Sequence, residues 1–226
     1  MRLIYAPYGI ELNLSENRVY TLVVENQKAF CSIMQDLLMQ VNGGSGEWIL
    51  SEAENILPFA RNCILIDNPL VVNCNEKKIL TRLYNELAEN VNDSMQERYT
   101  QLNSEVVMFL ESLLQTVPYH LDFEVGVDLP AIFKTYSVKI AEDSTNPLEY
   151  LIDYLRAMRA ICGIRIVWIL NLKQYFSKEQ VIQLYEICFY EKIILINIEG
   201  QRNYSLESEA CVIIDMDLCL IDLSMN

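Results

Sequence analysis

Arg165-Ile166-Val167-Trp168-Ile169-Leu170 and Ile193-Ile194-Leu195-Ile196-Asn197-Ile198 are the two stretches whose reading decides the fold. Both are short, nearly unbroken apolar runs, rich in β-branched and aromatic residues. Runs of that length suit strands buried on both faces. Between them, Ser177 with Glu179 and Gln180 fits a helix start, and Val181, Leu184, Ile187 and Cys188 recur at helical spacing. Strand, helix, strand with doubly buried strands is the pattern of a parallel sheet covered by helices. The predicted class is α/β.

Working back from that unit, Asn146-Pro147-Leu148-Glu149 predicts a helix start, with proline at the first helical position and an acid near the positive end. This helix should run to Cys162 and stop at Gly163. Working forward, Cys211 to Ile214 and Cys219 to Leu223 predict two short strands around Asp215-Met216-Asp217. At the other end of the chain, Leu3 to Tyr5, Ile10 to Leu14 and Val19 to Val24 predict strands separated by turn residues. A helix follows from Gln27 to Val41, then strands at Trp48 to Leu50 and Cys63 to Ile66. Leu121 to Val125 and Val138 to Ile140 are also read as strands, flanking a short helix that begins at Asp128.

The apolar stripe from Ile79 to Leu114 spans a tract of about 40 residues, or nearly 60 Å of unbroken helix. That is too long for one domain of this size, so the tract projects or breaks near Asn90 to Ser94. Either way an apolar stripe is left needing a partner, which predicts a helical subdomain and self-association. The expected division is an α/β body from 1–74 and 118–226, with 75–117 forming the helical extension.

Composition narrows the function. The chain of 226 residues is 52% hydrophobic, enough for one substantial core, and has no apolar run long enough to span a bilayer. The start lacks the apolar segment and cleavage site of a secretory signal, so a cytoplasmic location is expected. Seven cysteines, an odd number without a Cys-x-x-Cys pair, predict free thiols, and a single histidine argues against a zinc site. A net charge of −14 disfavours general attraction to a polyanion but leaves room for a local basic surface.

Catalytic motifs do not assemble. Asn42-Gly43-Gly44-Ser45-Gly46-Glu47-Trp48 is the only glycine-rich loop. It follows a helix instead of preceding one, and Glu47-Trp48 stands where a phosphate loop needs lysine and a hydroxyl. His120 has no serine or cysteine motif beside it. Asp122, Glu124 and Asp128, with Glu142 and Asp143 further on, are candidate oxygen ligands for a hard cation, although no Asp-x-Asp-x-Asp-Gly loop is present. Lys134 with Lys139, Arg156 with Arg159, and Lys77, Lys78 and Arg82 are clusters able to contact phosphates without reading bases.

Leu65-Ile66-Asp67-Asn68-Pro69-Leu70 through Asn75-Glu76-Lys77-Lys78-Ile79-Leu80, Asn171 to Glu179, Ile214 to Cys219 and the glycine-rich loop together resemble the accessory spacer-acquisition family of type II-A CRISPR systems. The likeness spans nearly the whole chain. It implies a body similar to a P-loop core without a working nucleotide site, a helical extension, and a ring-shaped homotetramer that is not an enzyme. It further implies sequence-independent binding of linear double-stranded DNA through a central hole, stabilisation by calcium (Ca2+), and action beside the spacer integrase and the RNA-guided effector nuclease. The calcium region corresponds to Asp122, Glu124 and Asp128; the DNA-binding residues assigned are Lys134, Lys139, Arg156 and Arg159. Two other classes stay open. One is a protein-interaction scaffold of the adaptation complex that does not bind DNA; the other is a metal-dependent nuclease using Asp215, Asp217 and Glu199.

Overall fold

The all-apolar runs do form the centre of a sheet. In the computed structural model, which describes residues 1–126, 128–141, 144 and 146–223, β7 (Ile166–Leu170) and β8 (Ile194–Glu199) pair in parallel with Trp168 opposite Ile196. β3 (Val19–Val24) adds to β8, and β6 (Cys63–Ile66) adds to β7, all parallel. On the far side of β3 lies parallel β9 (Glu209–Ile214), with β10 (Leu220–Asp222) antiparallel at the edge. The order is β10-β9-β3-β8-β7-β6. The fold is therefore mixed α/β with a largely parallel sheet, as expected.

The remaining strands make a second sheet. β1 (Arg2–Tyr5), β2 (Ile10–Asn13), β4 (Trp48–Glu52) and β5 (Asn55–Ile56) are antiparallel in the order β2-β1-β4-β5. A single 3-10 turn, Ala6–Tyr8, ends at Gly9 with φ +66, a left-handed backbone that glycine adopts freely. Side chains alternate across a strand, so Leu3, Tyr5, Trp48 and Leu50 meet Tyr20, Leu22, Ile196 and Trp168 in one core. Ala29, Ile33 and Leu37 of α1 (Gln27–Val41) fill the space between. The rings of Tyr5, Trp48 and Trp168 run through this core in tilted and edge-to-face contact, at centroid distances of 4.5 and 4.9 Å.

Helix ends follow their capping chemistry. The Asn26 side chain accepts from Lys28 and Ala29 N–H to start α1. α2 (Phe59–Asn62) is a single turn before β6. α6 (Pro147–Ala160) starts at Asn146, whose side chain accepts from the Glu149 N–H. α7 (Leu172–Tyr175) was not foreseen; α8 (Lys178–Tyr190) opens with a capping box between Ser177 and Gln180.

Asn75–Glu142 is a unit of its own, separate from the α/β unit of Met1–Cys74 and Asp143–Asn226. Its long tract is broken as one reading expected, into α3 (Lys77–Glu89) and α4 (Asp93–Leu114), where Asn92 caps the second helix. The helical unit is larger than 75–117, because residues after 117 pack within it. α5 (Leu129–Thr135) lies against α3 with the Tyr84 and Phe133 rings 5.8 Å apart. The Tyr84 hydroxyl donates to the Val138 carbonyl, and the Asn75 side chain makes two hydrogen bonds with the Ile140 backbone. Those bonds also correct the expected strand at Val138 to Ile140: side chains satisfy its backbone, and no ladder forms. Leu121 to Val125 is likewise not a strand; Leu121 and Val125 are exposed and no neighbouring strand is paired with them.

Candidate nucleic-acid interface

The glycine-rich loop is a structural joint. Gln40, buried at the end of α1, donates from Nε2 to the Trp48 carbonyl at 2.9 Å and accepts the Trp48 N–H at 2.8 Å. Gly43 has φ +86, and a Cβ on Gly46 would stand 2.7 Å from Gln40 Oε1. The glycines let the chain turn tightly around this clamp, and the Gly43 and Gly44 amides already donate to the Gln40 and Met39 carbonyls.

In the α/β unit, the first strand of the parallel sheet passes to α1 through Glu25 and Asn26 alone, and the first free amides of that helix are already taken by Asn26. A cavity of about 400 Å³ opens at these carboxyl ends, lined by Glu25, Gln27, Phe30, Asn171, Gln174 and Gln201 among others. It is amide-rich, with an acid at its mouth and no lysine. This arrangement does not attract phosphate.

The helical unit does gather basic groups. Lys77 at the start of α3 and Lys134 near the end of α5 line one cavity of about 570 Å³, together with Thr81, Tyr84, Asn85 and Asp128. Both lysines are exposed, and neither forms an ion pair among the described residues. Lys139 is exposed on the segment after α5. The other two expected contacts are placed differently. Arg156 Nε pairs with Glu191 at 3.0 Å and its NH1 lies 3.8 Å from Asp153, while Arg159 Nε donates to the Glu191 carbonyl at 3.3 Å. They share a helical face, as their spacing implied, but that face ties α6 to the end of α8. Arg156 keeps a half-exposed guanidinium; Arg159 is partly buried.

The expected calcium carboxylates Asp122, Glu124 and Asp128 are all exposed, and two of them are separately engaged. Asp122 accepts the Phe123 N–H at 2.9 Å, and Asp128 caps α5 by accepting the Ala131 N–H at 2.8 Å. Among the described residues no three His, Cys, Asp or Glu side chains come together as an ion requires, so these three acids alone do not make a donor set. Glu142 and Asp143 lie outside the described residues. The C-terminal acids do not gather either. Asp215 accepts from Asp217 and Cys219 N–H within the β9–β10 turn, and Glu199 is fully buried beneath α7. Among the described residues Asp215, Asp217 and Glu199 do not assemble a metal-ligand cluster.

Sequence reasoning missed the buried ion pair of Lys173 with Glu209, 2.8 Å apart, whose partners are 36 residues distant. Exposed apolar side chains were foreseen on the long tract. No residue of α4 is buried, and Met95, Leu102, Val106, Phe109 and Leu113 recur at seven-, four-, three- and four-residue steps.

A family model for the CRISPR-associated protein (Cas_Csn2) matches residues 40–218. The chain belongs to the Cas_Csn2 family. That match runs from the Gln40 clamp through the whole helical unit to the β9–β10 turn, so both units are parts of the Cas_Csn2 pattern. Among solved structures, a putative ABC transporter ATP-binding protein from Pyrococcus furiosus is similar over 90% of this chain and 88% of its own length, at 10% identity and a TM-score of 0.38. That likeness says nothing about nucleotide chemistry in this Cas_Csn2 chain. No helix among the described residues is long and apolar enough to cross a membrane.

Proposed function

We propose that this Cas_Csn2 chain is a non-catalytic, sequence-independent binder of linear double-stranded DNA that acts in CRISPR spacer acquisition as a ring-shaped homotetramer in the cytoplasm. The observation that carries the reading is the presence of Lys77 and Lys134 around one open cavity, without an ion pair among the described residues, in a chain otherwise strongly acidic. Two ammonium groups so placed suit backbone phosphates, which position a duplex without reading its sequence. With few cations per chain, symmetry multiplies the contacts. The heptad-like stripe on α4 supports self-association, since a helix of about 33 Å with an apolar seam is stabilised by covering that seam. The spacer integrase and the RNA-guided effector nuclease are the partners proposed for the assembled ring.

Lys139 and the exposed part of Arg156 are secondary phosphate contacts in this proposal. Arg159 contributes least, because it is committed to the end of α8. Mobility shift of a linear duplex tests the assignment: Lys77→Ala/Lys134→Ala should lose retention while melting like the parent protein. Undiminished retention by the double variant would remove these lysines from the interface.

Calcium belongs to the proposal with a restriction set by geometry. Asp122, Glu124 and Asp128 supply oxygens only as members of a larger set, with Glu142, Asp143 or a second copy of the chain providing the rest. Sedimentation after chelation and after readdition of calcium tests this; an unchanged profile in both states rules out a structural calcium ion. The second reading, a protein-interaction scaffold, draws on the net charge of −14 and the uncovered α4 stripe. Copurification with the adaptation proteins without any DNA retention would favour it.

A further inference from the structure

The cavity at the carboxyl ends of the parallel strands is lined for a ligand of a different kind from DNA. β3 leads into α1 on the face of the sheet that carries Tyr20 and Leu22, while β7 leads through α7 into α8 on the opposite face, where the Tyr185 hydroxyl meets Asn197. These two strands flank β8, so the chain departs to opposite faces on its two sides. Such a divergence opens a crevice beyond the strand ends, which is where open parallel sheets hold their ligands. Here it measures about 400 Å³.

Gly200, the first residue after β8, keeps this crevice open. Its φ lies outside the left-handed region, so its backbone does not call for glycine. A Cβ there would meet Phe30 Cε2 and Asn171 Oδ1, each at the ordinary contact distance of 3.9 Å, and a longer side chain would fill the space between ring and amide. Asn171 is fixed in place. It follows β7 with φ 51 and ψ 39, its N–H donates to the Ile198 carbonyl at 2.7 Å, and its Oδ1 accepts the Gly200 N–H at 3.1 Å.

The chemistry of the lining is one-sided. Glu25 is partly buried, and its carboxylate has neither ion pair nor hydrogen bond among the described residues. Gln27, Gln174 and Gln201 are exposed around it, with side-chain amides equally unengaged among the described residues. No lysine, arginine or histidine among the described residues lines the crevice. A lone carboxylate repels phosphate and supplies too few oxygens for a bare metal ion. It suits a cation that is planar, rich in N–H donors and able to lie against a ring. Guanidinium has five donors, no acceptor, a bidentate fit to a carboxylate and a flat face that stacks on aromatic rings. An ammonium matches the charge but neither the fork nor the plane.

We propose that this crevice binds a guanidinium group, paired with Glu25, laid against Phe30 in the space left by Gly200, and donating its remaining N–H groups to the glutamine carbonyls. The group belongs either to a free arginine-type molecule or to an arginine side chain of a protein partner. The site uses none of the lysines assigned to DNA, so its test is independent of that role.

Saturation-transfer-difference NMR on the full chain, with N-acetylarginine methylamide as probe, tests the site. Half-saturation on the order of 1 mM is expected for a single small group. N-acetyllysine methylamide carries the same charge, so it reports general attraction to a chain of net charge −14, and it should need at least about threefold more to saturate. Glu25→Gln should weaken the arginine probe by at least about tenfold. Gly200→Leu, which leaves the charge unchanged, should abolish saturable binding while melting like the parent; if it does not fold, Glu25→Gln decides alone. Tighter binding of the capped probe than of free arginine assigns the site to a partner's arginine, and the reverse to a small molecule; both uphold the guanidinium. No saturable response, an equal response to the lysine probe, or undiminished binding in Glu25→Gln or Gly200→Leu overturns it.

Discussion

Replacing Gln40 by leucine removes the clamp that makes the glycine-rich loop a joint. Gln40 is 8% exposed, and among the described residues its side-chain amide is the partner of both the Trp48 N–H and the Trp48 carbonyl. Leucine is of similar size and restores apolar burial, but it leaves two buried backbone groups unpaired. Each costs about 1–3 kcal/mol, so a net loss of about 2–4 kcal/mol is expected after the leucine's own burial is counted. For a chain of this length that lowers Tm by roughly 5–15 °C. Gly46→Ala strains the same clamp, because its Cβ would meet Gln40 Oε1 at 2.7 Å. The two changes share a partner and are not additive: the loss in the double variant should differ from the sum of the two single losses by more than about 0.5 kcal/mol. Thermal unfolding followed by circular dichroism at one fixed protein concentration measures all four proteins. If Gln40→Leu melts within about 1 °C of the parent, or the two losses simply add, the loop is not held by this clamp.

Thiol labelling of the native protein should proceed quickly at Cys31 and Cys219 and not at Cys63 or Cys188, which are buried and pushed up to about 12 by burial; fast labelling of either buried thiol would contradict the packing of this core. Phe109, 64% exposed on α4, should tolerate Phe109→Glu with no loss of melting temperature in the monomer, while sedimentation shifts to smaller species. An unchanged sedimentation profile would move the self-association surface away from the α4 stripe.

The body was legible because its signals are local. Ile193 to Ile198 needs no partner to be read as a doubly buried strand, and Asn146, Asn92 and Ser177 cap their helices through residues three positions away. What failed depended on distant residues. Leu121 to Val125 and Val138 to Ile140 have strand-like composition, but a strand needs an edge to join, and Asn75 and Tyr84 claimed the second segment's backbone first. Arg156 and Arg159 do share a helical face; nothing near them in the chain announces Glu191. Glu199 ends an apolar run and reads as the acid that surfaces after a strand. Only its neighbour across the sheet and Lys173 on α7 reveal that it is buried. Lys77 and Lys134 were each visible as basic residues, and the packing of α5 on α3 is what brings them to one cavity.

Mobility shift of linear and covalently closed circular duplexes of equal length, across a salt series, tests the central claim most directly. A ring that admits DNA at free ends and grips only phosphates predicts retention of the linear form at low salt, little retention of the closed circle, and affinity falling with salt by a log–log slope of about −0.9 for each phosphate neutralised. Equal retention of the two forms would contradict threading. No retention of linear duplex at the lowest salt would contradict DNA binding altogether.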